Sequence, residues 1–132
     1  LRNVNFPALA AGGGAVSVSG SGSLLLDHVV VSSAMVSVYS ATTGTITMRD
    51  SNLLVSGDNV IEGGGTWNIY STALSTTPDN NESVFYDMSG TVNLYAGTTA
   101  IGLGSGCTPN IYVYPGVYFG TSSKGCTWMS SQ

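Results

Sequence analysis

Apolar and polar residues alternate along this chain in runs of about five, and the runs recur. Four segments open with glycine and a hydroxyl residue: Gly22–Val31 (GSLLLDHVVV), Gly44–Leu54 (GTITMRDSNLL), Gly65–Leu74 (GTWNIYSTAL) and Gly90–Thr99 (GTVNLYAGTT). The openings lie 22, 21 and 25 residues apart. Two positions after each glycine stand Leu24, Ile46, Trp67 and Val92; four after it stand Leu26, Met48, Ile69 and Leu94. Nine after it stand Val31, Leu53, Leu74 and Thr99. Alternation of period two marks a strand with one buried face, and self-similarity at this spacing marks a stack of coils. The pattern predicts an all-β solenoid of about 4–5 coils, each with short strands separated by polar bends.

Taken in order, Leu1–Phe6 and Ala15–Ser19 read as entry strands, with Pro7 ending the first because proline cannot donate to a ladder. Residues 1–21 form this entry, 22–106 the coils and 107–132 a terminal cap or tip. The second coil is the clearest: Ile46 and Met48 share a face, Arg49–Asn52 bends, Leu53 and Val55 form a second strand, and Val60–Ile61 a third. The third coil carries a loop, Ser75–Ser83, which includes the glycosylation sequon Asn81-Glu82-Ser83. In the cap, Asn110–Tyr114 and Val117–Phe119 flank Pro115-Gly116, a type II turn pair. No stretch has helical periodicity. A β-sandwich and an interwoven triple β-helix are the alternative folds; the sandwich predicts no preferred repeat near this length.

Composition narrows the function classes. Charged residues make up 8% of 132 positions against 42% hydrophobic, so the polar surface is built from neutral groups. Net charge is −4, and Arg2, Arg49 and Lys124 are the only fixed cations. Three scattered cations cannot neutralise a phosphate backbone, so neither nucleic acid nor an anionic membrane surface is expected as a partner. No apolar run reaches the ~20 residues of a membrane-spanning helix. The chain opens on Leu1, read as a processing boundary with sequence upstream. Cys107 and Cys126 admit either a disulfide that ties down the C-terminal segment or two thiols. With one histidine and no second cysteine pair, neither metal nor other cofactor is expected.

A short column leaves β edges open, and several positions expected to face outward are large: Leu25, Val30, Val36, Leu54, Tyr70 and Tyr95. Burial against identical chains would cover them, which predicts a homotrimer of parallel columns. The rung Gly44–Gly57 (GTITMRDSNLLVSG) resembles one turn of a right-handed parallel β-helix, and the chain as a whole resembles the C-terminal part of bacteriophage tailspikes and tail fibres. Bacterial autotransporter passengers and other surface adhesins share the same grammar. The resemblance implies a virion location, a trimer closed by a small aromatic tip, and contact with host cell-surface polysaccharide; the adhesin alternative implies the bacterial surface.

Some members of the resembling family cleave glycans with paired carboxylates, which must stand roughly 5–9 Å apart. The acidic residues are Asp27, Asp50, Asp58, Glu62, Asp79, Glu82 and Asp87. Asp27 and Asp50 fall five and six places after their glycines, so adjacent coils bring them near each other, with His28 beside them. Asp27, Asp50 and Glu62 are therefore the candidates for a polysaccharide depolymerase. Turn chemistry accounts for aspartates at coil corners without any activity, so the expectation leans against an enzyme. Tyr112, Tyr114, Tyr118 and Trp128 are candidates for stacking on sugar rings at the tip, but the expectation favours their plugging the column end or forming a trimer core. Gly102–Gly106 lacks the lysine and helix of a phosphate loop.

Overall fold

The computed structural model describes residues 1–6, 15–33, 38–55, 59–76, 83–86, 88–105, 110–124 and 127–130. It is all-β, with every pairing parallel: a right-handed parallel β-helix of about 4 turns. The strands are β1 (Arg2–Phe6), β2 (Val16–Gly20), β3 (Leu24–Ser33), β4 (Val38–Thr42), β5 (Thr45–Arg49), β6 (Asn52–Val55), β7 (Ile61–Gly63), β8 (Thr66–Tyr70), β9 (Ala73–Thr76), β10 (Ser83–Tyr86), β11 (Thr91–Leu94), β12 (Thr99–Ser105), β13 (Asn110–Val113), β14 (Tyr118–Lys124) and β15 (Thr127–Ser130).

They stack on three faces. The first face runs from the N-terminal half of β3 through β5, β8, β11 and β13 to β15. The second runs from the C-terminal half of β3 through β6, β9 and β12 to β14, and β1 lies along β3 across both faces. The third runs through β2, β4, β7 and β10 to the far end of β12. In the segment expected as a cap, β13, β14 and β15 extend these same parallel ladders.

The register matches the repeat in the sequence. Leu24, Ile46, Trp67, Val92 and Ile111 form one file, and Leu26, Met48, Ile69, Leu94 and Val113 the next. Ile46, Trp67, Val92 and Ile111 are buried, and Leu24 packs against them from the open end. The Trp67 indole N–H donates to the Gly64 carbonyl at 2.9 Å, so its polar edge is satisfied inside the core. On the second face the inward file is Val31, Leu53, Leu74 and Ala100. Ala100 thus takes the place expected for Thr99. The fourth coil carries one more residue at its bend, a turn closed by the Thr98 N–H on the Tyr95 carbonyl at 3.1 Å. Full burial of each such side chain contributes roughly 1.5–3 kcal/mol, which makes these files the main source of stability.

The repeated glycine has a steric cause. A Cβ on Gly44 would stand 2.1 Å from the Gly22 carbonyl oxygen, and one on Gly90 1.8 Å from that of Gly65, which itself has φ +90. Where the backbones of successive coils approach this closely, only glycine fits. Of the outward residues expected to be large, Leu25, Val30, Leu54 and Tyr70 are exposed, Tyr95 is half-buried, and Val36 lies outside the described residues. Asp58, Asp79, Glu82, Asp87, Asn81, Cys107 and Cys126 also lie outside them. Gly102–Ser105 belongs to strand β12.

Candidate functional site

The corner between the first and second faces is built from residues in the left-handed region: Asn3 (φ 53), His28 (φ 53), Asp50 (φ 48) and Ser71 (φ 43), continued by Gly97 (φ 81) and Gly116 (φ 85). Asn, Asp and His tolerate this conformation better than most side chains, and glycine takes it without cost. Beneath the corner, hydroxyls hold the bending backbone. Ser51 Oγ donates to the Arg49 carbonyl at 2.8 Å and accepts the Val29 N–H at 3.0 Å. Thr72 Oγ1 donates to the Tyr70 carbonyl at 2.7 Å, and Thr98 Oγ1 to that of Ile69 at 3.2 Å.

This corner brings together Asp27, His28 and Asp50, whose ligand atoms lie within 4.8 Å of one another. Asp27 is buried, while His28 and Asp50 are exposed. The Asp27 carboxylate is heavily engaged. Its Oδ2 lies 2.9 Å from Arg2 Nε and 3.1 Å from Arg49 Nη2, and its Oδ1 accepts from His28 Nδ1 at 2.6 Å. The Arg49 hydrogen bond, then that from His28, hold its pKa down to about 2, against 3.8 ordinarily. A general acid for glycosidic cleavage needs the opposite shift. A cation bound by Asp27, His28 and Asp50 would have to displace or tolerate two guanidiniums. The arrangement instead suits a clamp: one buried anion joins β1, β3 and β5, three successive strands of the ladder.

Glu62 stands apart from that corner. It sits on the third face, in register with Tyr39 below and Tyr86 above. Beside it a groove of about 410 Å³ opens between Tyr39, Thr42, Thr43, Glu62, Gly64 and Ser89. A second depression, sharing Thr42, Thr43, Gly64 and Ser89 with it, is lined further by Gly65, Thr66, Gly90 and Thr91 along the bend from the third face to the first. The run Gly63–Gly65 leaves the wall without side chains there. Thr42 is fixed at the floor: its Oγ1 lies 2.8 and 2.9 Å from the Gly20 and Gly22 carbonyl oxygens and accepts the Gly44 N–H at 3.0 Å.

The aromatic candidates divide between two faces. Tyr112 lies on the outer side of the first face, in file with Thr47, Asn68 and Asn93, where the Asn93 amide donates to Asn68 Oδ1 at 2.9 Å. Tyr114 tops a stack that sequence reasoning did not assemble. Tyr70 and Tyr95 are parallel with centroids 4.4 Å apart, and Tyr95 and Tyr114 follow at 4.7 Å. The available signal was the tyrosine five places after Gly65 and Gly90 in GTWNIY and GTVNLY. Stacking occupies the ring faces with each other and leaves mainly edges outward. Tyr118 is 63% exposed on the second face, past the Pro115-Gly116 turn. Trp128 stands in register with Ile111. Glu62 was a candidate from sequence; its neighbours Tyr39, Thr43 and Ser89 were not, although Thr43 and Ser89 each stand directly before a coil-opening glycine. No family model, curated protein or solved structure matches the chain.

Proposed function

We propose that this chain is a structural and receptor-binding segment of a phage tail spike or fibre, assembled as a homotrimer and contacting host-surface glycan. The observation that carries the trimer is the outer side of the second face. There Val30, Leu54, Ile101 and Tyr118 are exposed at 41%, 40%, 48% and 63%, among Asn52, Ala73, Thr99, Ser32 and Ser75, none of them charged. Apolar side chains repeated up one face of a stiff ladder favour association with like columns. The glycan contact is supported by two neutral files on the first face, Thr47–Asn68–Asn93–Tyr112 and Thr45–Thr66–Thr91, which offer hydrogen bonds without the charge that would select an ionic partner.

Size-exclusion chromatography with light scattering tests the assembly. A three-chain mass that falls to one chain in Leu54→Asp/Ile101→Asp supports the proposal; a monomeric native column favours a bacterial surface adhesin and overturns it. Binding to whole host polysaccharide tests the receptor role. Release of reducing ends, lost in Asp27→Asn or Asp50→Asn, would instead make the chain a depolymerase.

A further inference from the structure

The groove between Tyr39, Glu62 and Ser89 has what a sugar site needs, and we infer that it binds one uncharged sugar residue of a glycan chain. This rests on the glycan-binding role proposed above and assigns it to a place that none of the aromatic residues singled out in the sequence occupies.

Three features define the ligand. The first is size: about 410 Å³ lies within the range of about 300–1,000 Å³ typical of small-ligand sites. The second is chemistry. Tyr39, 41% exposed, supplies an amphipathic wall, while the Thr43 and Ser89 hydroxyls and the Glu62 carboxylate supply hydrogen-bonding groups suited to a polyhydroxylated ring. The third is charge. Among the described lining residues Glu62 is the sole carboxylate and none is lysine or arginine, so a uronic or sialic acid would be repelled. A neutral hexose or N-acetylhexosamine is the class that fits.

The depth of the groove depends on Gly64. A Cβ there would approach Ser89 Oγ to 3.1 Å and the Thr42 carbonyl oxygen to 3.2 Å, so a methyl would narrow the space between coils. Glu62, on the groove wall, is the acceptor for sugar hydroxyls, where a hydrogen bond to a charged group is strong enough to orient the ring.

The test uses the whole chain and a panel of glucose, galactose, mannose, N-acetylglucosamine and their oligomers, with glucuronic acid as the acidic counterpart. Binding is followed by backbone amide shifts and titration calorimetry. A neutral sugar should shift the amides of Tyr39–Thr43 and Glu62–Gly64, and glucuronic acid should not. Glu62→Gln and Tyr39→Ala should each weaken binding about tenfold while circular dichroism stays native, and Gly64→Ala should weaken it further. Unchanged affinity in folded Glu62→Gln and Tyr39→Ala, with wild type still binding polysaccharide, overturns the groove and leaves the glycan role standing. The groove is overturned in the same way if Tyr112→Ala or Tyr118→Ala abolishes binding in their place, or if glucuronic acid binds best. Failure of wild type to bind any neutral sugar or host polysaccharide overturns both.

Discussion

Gly90 lies directly over Gly65, so close that a methyl group on it would stand 1.8 Å from the Gly65 carbonyl oxygen. The same contact recurs lower in the column, between Gly44 and Gly22, at 2.1 Å. Gly22 itself would bring a Cβ no nearer than 3.9 Å to its neighbours. The stacked coils therefore need glycine at Gly44 and Gly90 for space, and need it far less at Gly22.

Gly44→Ala and Gly90→Ala should each cost about 3 kcal/mol or more, because the clash is with backbone that cannot rotate away. Gly22→Ala should stay within about 0.5 kcal/mol of wild type. Chemical denaturation followed by circular dichroism separates the two classes. Equal effects at Gly22 and Gly90 would contradict the packing described above.

Trp67 occupies the middle of the first inward file, between Ile46 and Val92. Trp67→Ala should destabilise the column by about 3–5 kcal/mol, through lost burial and the cavity left behind. Trp67→Phe should cost less but more than its volume change suggests, since the Gly64 carbonyl loses its 2.9 Å donor. Thermal unfolding of both variants checks the order.

The Asp27 clamp predicts a specific acid sensitivity. Its folded pKa is depressed, so its stabilising effect is present above the ordinary value of 3.8 and is lost as pH falls through about 2. The difference in melting temperature between wild type and Asp27→Asn should thus be full at neutral pH and close across that window. Arg2 and Arg49 are 63% and 46% exposed, so added salt should shrink the difference as well. A gap at pH 2 as large as at neutral pH would show that Asp27 acts through packing alone.

Tyr95 is the middle ring of the stack, and its removal breaks both contacts. Tyr95→Ala should cost more than Tyr118→Ala, since each aromatic pair adds about 0.5–1.5 kcal/mol beyond its buried area. Burial, then the neighbouring Tyr70 and Tyr114, push the Tyr95 phenol above its ordinary 10.0. The unfolded chain ionises there first, so stability should fall as pH rises past about 10, and Tyr95→Phe should lessen that fall. Ultraviolet phenolate titration alongside alkaline melts measures both effects.

Much of this fold is legible in the order of residues, because a solenoid repeats one local solution. Leu24, Ile46, Trp67 and Val92 each stand two places after their glycines, and that equal offset becomes vertical alignment although the openings lie 22, 21 and 25 residues apart. Thr99 shows where that logic ends. One added residue at the Tyr95–Thr98 turn shifts the file, so Ala100 takes the inward position. The proximity of Asp27, His28 and Asp50 followed from the same coil arithmetic. Their use did not, because the ion pairs of Arg2 and Arg49 with Asp27 join three successive strands of the ladder.

The sequence by itself determined the architecture: parallel strands, glycine corners and inward apolar files, all of them consequences of local alternation and a regular period. Tertiary structure alone decided what the outward side chains do. It set Tyr70, Tyr95 and Tyr114 face to face, made Asp27 a clamp, and opened a groove beside Glu62. Those outcomes depend on side chains from different coils meeting across strand spacings, where residues outside the inward apolar files, such as Tyr39 and Ser89, count as much as those within them.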